Sequence, residues 1–150
     1  MEMAFGIIGA LTGLSGIIIS LFSFYHNRIE AVNAFYANFR NPVFIEARKT
    51  IHNLPSNYVP EEILREHGDK IAYIVLSYEQ AGILAKKHKL PFWLFTDHST
   101  GIAIVRLYEK LQPYILFRRE YDNVAYGKQF EYLVERIKRK RPPEYFKLNS

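Results

Sequence analysis

Residues 3–25 read MAFGIIGALTGLSGIIISLFSFY, a run of 23 residues without a charged side chain. An α-helix needs roughly 20 apolar residues to cross the hydrocarbon core of a bilayer, so this run is long enough to span it. A cleaved signal peptide would have a basic start, a shorter apolar core and a small-residue cleavage site, whereas this chain starts Met-Glu-Met. The run therefore predicts a retained transmembrane helix, with residues 1–25 as an N-terminal anchor.

The charges that flank this run predict its orientation. No Lys or Arg precedes it, while Arg28, Arg40, Arg48 and Lys49 follow it. Because basic residues are retained on the cytoplasmic side of a membrane, we expect the short N-terminus to lie outside and the C-terminal domain to lie in the cytoplasm.

Small residues recur along one face of the predicted anchor, at alternating spacings of three and four. They are Gly6, Gly9, Gly13, Gly16, Ser20 and Ser23. Such a seam lets helix backbones approach closely, so it favours self-association of the anchor as a dimer or a ring. A ring with this seam facing inward would form a pore. The alternative is that glycine is simply common in membrane helices.

The remainder of the chain is basic and contains no cysteine. All 20 Lys and Arg follow residue 25, against 14 acids, since Glu2 is the only acid before that point. Lys138, Arg139, Lys140 and Arg141 form a consecutive basic tail. This charge predicts an anionic neighbour, and anionic lipid is favoured over nucleic acid because the anchor already holds the domain at the membrane. Without cysteine there is neither a disulfide nor a thiolate-ligated metal site.

Helical periodicity dominates after residue 25, and no run alternates strictly between apolar and polar residues as a strand would. The sequence therefore predicts an all-α fold, with a cytoplasmic multi-helix domain over residues 26–141 and a tail over 142–150. Asn41-Pro42 is typical of a helix start, Asp69 predicts the cap of a further helix, and Pro113 predicts a kink.

No motif in the sequence predicts a reaction, so we expect no catalytic residue, no metal site and no cofactor. The nearest match is Arg48-Lys-Thr-Ile-His52, which approaches the Arg-x4-6-His signature of helical ribonucleases. Only three residues separate its Arg and His, one fewer than the signature requires. A membrane-tethered enzyme that acts on RNA therefore stays an alternative hypothesis, tested by replacing Arg48 and His52.

Charged residues on apolar helices predict structural ion pairs. Glu79 follows Tyr78 on a mostly apolar helix, so a buried carboxylate there would need a cationic partner, for which Arg106 and Arg118 are the candidates. Arg106 also lies three residues before Glu109, a spacing that brings side chains together on a helix.

Three stretches carry a family resemblance: LSYEQAGIL at 76–84, IVRLYEKLQPYI at 104–115 and FEYLVER at 130–136. Together they make the region from Ala47 to Arg136 similar to an uncharacterised bacterial family of short helical proteins, a domain of unknown function. The resemblance implies a bacterial origin, a helical fold, often a single N-terminal span, and no established activity. In layout alone, the chain also resembles small transmembrane effectors of bacterial antiviral systems.

Together these observations predict an oligomeric single-pass protein of the bacterial inner membrane. It would be non-enzymatic. The most specific form of this hypothesis is a pore-forming or scaffolding effector in antiviral or stress responses. The expected partners are further copies of the chain, anionic lipid and an unidentified protein. A plain anchor that presents a protein-binding surface is the remaining alternative.

Overall fold

The computed structural model describes residues 2–141 and 144, and it describes the side chains of residues 13–97, 99–141 and 144. This part of the chain is entirely helical, as the sequence predicts. It contains five α-helices and one 3-10 helix: α1 (Glu2–Arg40), α2 (Pro42–Asn53), α3 (Pro60–Lys86), the 3-10 helix (Phe92–Phe95), α4 (His98–Tyr121) and α5 (Lys128–Lys140).

Helix α1 is continuous over 39 residues, or about 58 Å at 1.5 Å per residue. Its C-terminal part packs on the domain through Phe35 and Phe39, whose rings contact Phe95 at 5.2 Å and Tyr78 at 5.6 Å between centroids. The preceding part, as far as its side chains are described, projects away from the domain. Among the residues that the structure describes, none of the helices combines the length and the apolar character needed to cross a membrane.

Helix α2 begins as the sequence predicts. The side chain of Asn41 accepts a hydrogen bond from the Val43 N–H at 2.9 Å, and Pro42 occupies the first helical position. This arrangement satisfies one of the N–H groups that a helix start leaves unpaired, while proline has no N–H to satisfy.

Helix α3 differs from the prediction, because it runs unbroken through Asp69 instead of starting there. Buried side chains continue on both sides of Asp69, from Ile63 to Ile71 and Ile74. Burial of this apolar stripe outweighs the preference of a single aspartate for a helix terminus, because capping contributes only about 1 kcal/mol.

Pro113 lies inside α4, where its missing N–H interrupts the hydrogen-bond ladder. The hydroxyl of Tyr58, in the loop before α3, donates to the Lys110 carbonyl at 2.8 Å. It also accepts from the N–H of Tyr114, the residue after Pro113, at 3.3 Å. These two backbone groups would pair with each other in an uninterrupted helix. Tyr58 therefore supplies hydrogen bonds beside the proline and fastens the loop before α3 to α4.

Helix α5 packs closely against α3 at its N-terminal end. Gly82 permits this approach, since a Cβ atom there would lie 2.3 Å from the Gln129 carbonyl oxygen. The Glu79 carboxylate accepts from the Gln129 N–H at 2.7 Å and from the Phe130 N–H at 3.2 Å. Because Gly127, the residue before α5, provides no side-chain cap, Glu79 on α3 caps α5 from across the core.

Candidate functional site: a basic cleft between two helices

A cleft of about 910 Å³ lies between α2 and α4. Helix α2 forms one wall of the cleft, and α4 forms the other. The lining residues are Ile45, Arg48, Lys49, Ile51, His52, Asn53, Ser99, Ile102, Ala103, Arg106, Leu107 and Lys110.

Helical spacing places the polar side chains of this cleft. Arg48 and His52 are four residues apart on α2, and Arg106 and Lys110 are four apart on α4. Side chains at this spacing lie one above the other on one helix face. Each helix therefore contributes a short row of polar groups, and Lys49 adds a further cation beside the first row.

The cleft carries four formal positive charges, and its lining contains no Asp or Glu. Glu46 and Glu109, the acids nearest along the two helices, form ion pairs elsewhere, with Lys70 and Lys138, each at 2.6 Å. In the part of the chain that the structure describes, neither Arg48 nor Lys49 forms an ion pair with a carboxylate. The positive charge on the α2 wall therefore stays available to a ligand.

Lys110 connects the two walls of the cleft. Its ammonium group donates to the His52 carbonyl at 2.5 Å, in the last turn of α2. Cations stabilise the C-terminal end of a helix, where backbone carbonyls have no partner within the helix. Lys110 therefore supports the structure of the cleft as well as its charge.

The positive surface ends abruptly at Asn53. This residue also lines a second cavity of about 450 Å³, whose lining includes the two acids Glu62 and Glu66. Across the described residues, no three His, Asp or Glu side chains lie together as metal ligands would.

The arrangement of side chains suits the binding of an anion. Arginine guanidinium groups match the oxygens of phosphate and carboxylate groups. Ile45, Ile102 and Leu107 provide apolar surface beside them. Among the described lining residues, His52 supplies the one imidazole, and none supplies a carboxylate that could act with it as a second acid or base.

In the sequence, Arg48 and His52 stand out only as a partial ribonuclease signature, and nothing there connects them to α4. The structure brings them into one cleft with Arg106, which had been considered only as an ion-pair partner. The spacing of Arg106 and Lys110 was a signal of a basic helix face. Nothing local, however, indicates that residues more than 50 positions apart face each other.

The structure gives Glu79 and its two candidate cations other partners than those predicted. Glu79 contacts the N-terminus of α5, as described above. Arg118 forms an ion pair with Asp122 and donates to the Tyr114 hydroxyl at 3.0 Å. Arg106 lies in the cleft, while Glu109 pairs with Lys138. Backbone N–H groups thus provide the hydrogen bonds for which the sequence had suggested arginine.

The basic tail lies at the end of α5. Lys138 pairs with Glu109, and Arg139 pairs with Glu135 at 3.1 Å. The Arg141 guanidinium donates to the Thr96 carbonyl, and Lys140 is exposed. Of the tail predicted over 142–150, only residue 144 lies among those described.

The described part of the small-residue seam is open to solvent. Gly13, Gly16, Ser20 and Ser23 are all exposed. A Cβ atom added at Gly13 or Gly16 would meet nothing within 4 Å. Gly6 and Gly9 lie outside the residues whose side chains are described.

Comparison with known proteins gives a family without an assigned activity. The model of the family described as a domain of unknown function (DUF4760) matches residues 10–137. No curated protein and no solved structure matches the chain. The match covers most of the 150 residues, including the C-terminal part of the predicted anchor, the basic cleft and α5 as far as Ile137. The chain is therefore a member of the DUF4760 family.

Proposed function

We propose that this protein is an oligomeric, non-enzymatic scaffold of the bacterial inner membrane, anchored by one N-terminal helix. The observation that carries the proposal is the surface of α1 between Leu14 and Tyr25. Its large apolar side chains are 58–75% exposed, namely those of Leu14, Ile17, Ile18, Ile19, Leu21, Phe22, Phe24 and Tyr25. Ile17, Ile18 and Ile19 are consecutive, so they point in three directions around the helix.

A helix that is apolar all round requires an apolar environment on every side. Full burial of one such side chain contributes about 1.5–3 kcal/mol, so eight of them represent at least about 12 kcal/mol. Lipid would surround the helix completely, whereas a docked globular partner would cover one side. The charge-free run of 23 residues and the four cations that follow it support a span with the domain on the cytoplasmic side.

The continuity of α1 supports a scaffold rather than a loose tether. No linker separates Tyr25 from Phe35 and Phe39, which pack against the domain. The relative positions of the anchors in the membrane would therefore determine the relative positions of the domains. The seam that contains Gly13 and Gly16 is the surface through which we propose that the anchors associate.

The edge of the domain near α1 supports contact with anionic lipid. Trp93 on the 3-10 helix is 64% exposed, and the Arg141 guanidinium contacts the carbonyl of Thr96 next to that helix. Phe35, which packs on the same segment, lies ten residues after Tyr25, or about 15 Å along α1. Tryptophan and basic side chains are the groups enriched at membrane interfaces.

The anchor and the assembly are tested separately. If the anchor is correct, the full-length protein stays in the membrane pellet after an alkaline carbonate wash, and release into the supernatant would contradict it. Native mass spectrometry in mild detergent then reports the assembly. Gly13→Leu should abolish the assembly, while Ser15→Leu, which places the same large side chain off the seam, should leave it intact. Equal assembly in both variants would refute the seam.

The subunit number decides between forms of the scaffold. A closed ring would make a pore-type effector of antiviral or stress responses the working hypothesis, with ion leakage from vesicles as the next measurement. A dimer would exclude a pore lined by the anchors, and it would direct the search to a protein partner of the domain.

A second candidate is an enzyme that acts on RNA at the membrane. The observation that favours it is that Arg48 and His52 share the basic cleft. The Arg48→Ala/His52→Ala double variant tests it directly. Loss of RNA cleavage in the double variant would establish this function, whereas absence of cleavage by the wild-type protein, or equal cleavage by both proteins, would remove it.

A further inference from the structure

We propose that the cleft between α2 and α4 binds a small organic phosphate, a phosphate ester that also carries an apolar or planar group. The inference concerns the cleft alone, and it holds whether or not the anchor spans a membrane. A volume of about 910 Å³ lies within the range of about 300–1,000 Å³ that is typical of small-molecule sites.

The charge of the cleft indicates the anionic part of the ligand. Arg48 and Lys49 are not neutralised by a carboxylate among the described residues, and Arg106 and Lys110 approach from the opposite wall. Cations that converge from two helices surround a tetrahedral phosphate better than a single row would, and arginine donates two parallel hydrogen bonds to its oxygens. Ser99 and Asn53 add neutral polar groups at the rim.

The walls indicate the other part of the ligand. Ile45, Ile102 and Leu107 line the cleft beside the cations, and Ile45 is 43% exposed. An inorganic anion would leave this apolar surface in contact with water. A base, a ring or a short acyl segment attached to the phosphate would cover it and add to the affinity.

The limits of the positive surface favour a compact ligand over a long polyanion. From Ser99 to Lys110 the α4 wall extends about 16 Å. Beyond Asn53 the surface becomes acidic, with Glu62 and Glu66 in the adjoining cavity. A nucleic acid strand needs a positive groove that follows its backbone over many phosphates, and carboxylates would repel it here.

The first measurement is calorimetric titration of the full-length protein in mild, uncharged detergent. ATP represents a soluble nucleotide, short-chain phosphatidylglycerol represents a lipid headgroup, and inorganic phosphate represents the anion alone. We expect one of the two organic phosphates to bind at least about tenfold more tightly than inorganic phosphate, because it also covers the apolar wall. The tighter of the two identifies the source. Failure of both to bind would overturn the proposal.

Two variants locate the bound ligand. Arg48→Gln/Lys49→Gln should weaken binding at least about tenfold, since each lost charge-assisted contact contributes more than a neutral one. The matched control, Arg65→Gln/Lys87→Gln, removes the same charge from exposed positions outside the cleft and should change the affinity less than twofold. Equal weakening in both variants would show that the loss of net charge alone weakens binding, and it would refute the site.

Ala103→Phe tests the shape of the site without changing its charge. Ala103 lines the cleft, so a phenyl ring there should exclude the organic phosphate while inorganic phosphate still binds. Unchanged binding of the organic ligand would show that it lies elsewhere. A short single-stranded RNA that binds more tightly than either small ligand, and that ATP does not displace, would also overturn the assignment to a small molecule.

Discussion

Replacing Gly82 by alanine should destabilise the protein, although alanine is the better helix former. Gly82 lies where α3 meets the start of α5, and an alanine Cβ would be 2.3 Å from the Gln129 carbonyl oxygen. Real Cβ atoms essentially never come within 3.0 Å of such an atom, so α5 would have to retreat by at least about 0.7 Å (3.0 minus 2.3 Å). The obstacle is backbone, which cannot rotate aside as a flexible side chain would.

The magnitude follows from what this retreat would break. Movement of 0.7 Å along the bond would lengthen the hydrogen bond between Glu79 and the Gln129 N–H from 2.7 to about 3.4 Å, beyond its ordinary range. Loss of a hydrogen bond to a charged group costs about 1.5–3 kcal/mol, and overpacking costs about 1–3 kcal/mol. Alanine regains about 1 kcal/mol through its helix propensity. Together these contributions give an expected net loss of about 1.5–5 kcal/mol.

Thermal unfolding in mild detergent, followed by far-ultraviolet circular dichroism, measures this loss. For a chain of this size the loss corresponds to a Tm lower by about 3–20 °C. Gly68→Ala in the same helix is the matched control. Its Cβ would meet only the end of the Leu64 side chain, at 3.2 Å, so we expect unchanged or slightly higher stability. A Gly82→Ala protein as stable as the control would refute the close approach of α3 and α5.

Three further outcomes are expected. Tyr126→Phe should raise the free energy of unfolding by up to about 1 kcal/mol, because the buried Tyr126 hydroxyl has no hydrogen-bond partner among the described residues. Tyr58→Phe should lower the free energy of unfolding by about 1–2 kcal/mol, because the Tyr58 hydroxyl forms two hydrogen bonds. Chemical denaturation of both variants measures the two changes, and changes of the same sign would contradict the prediction. Burial raises the pKa of Tyr108 to about 12, so between about pH 10 and 12 the unfolded chain releases a proton that the folded chain retains. Stability should therefore be complete below pH 10 and fall as pH rises to 12, and a Tyr108→Phe protein with an equally steep fall would contradict this assignment. Glu79→Gln should cost about 1 kcal/mol, since the amide oxygen still accepts from the Gln129 N–H but the charge is lost, and a larger cost in Glu79→Ala than in Glu79→Gln would confirm a capping role.

The sequence by itself determined the helical class and the start of α2 at Asn41-Pro42. These features depend on neighbours within a few residues, because apolar periodicity and capping chemistry act over one or two helical turns. The apolar run at residues 3–25 can likewise be recognised from the sequence, since a charge-free segment of that length needs no tertiary context to be identified.

Only the tertiary structure decided which helix faces meet. It extended α3 through Asp69, placed Glu79 at the N-terminus of α5 and joined Arg48 to Arg106 across one cleft. Periodicity shows which face of a helix is buried, but it does not show which other helix covers that face. The partners of a polar side chain depend on long-range packing, and the half-buried Glu79 carboxylate accepts from the free N–H groups at the start of another helix.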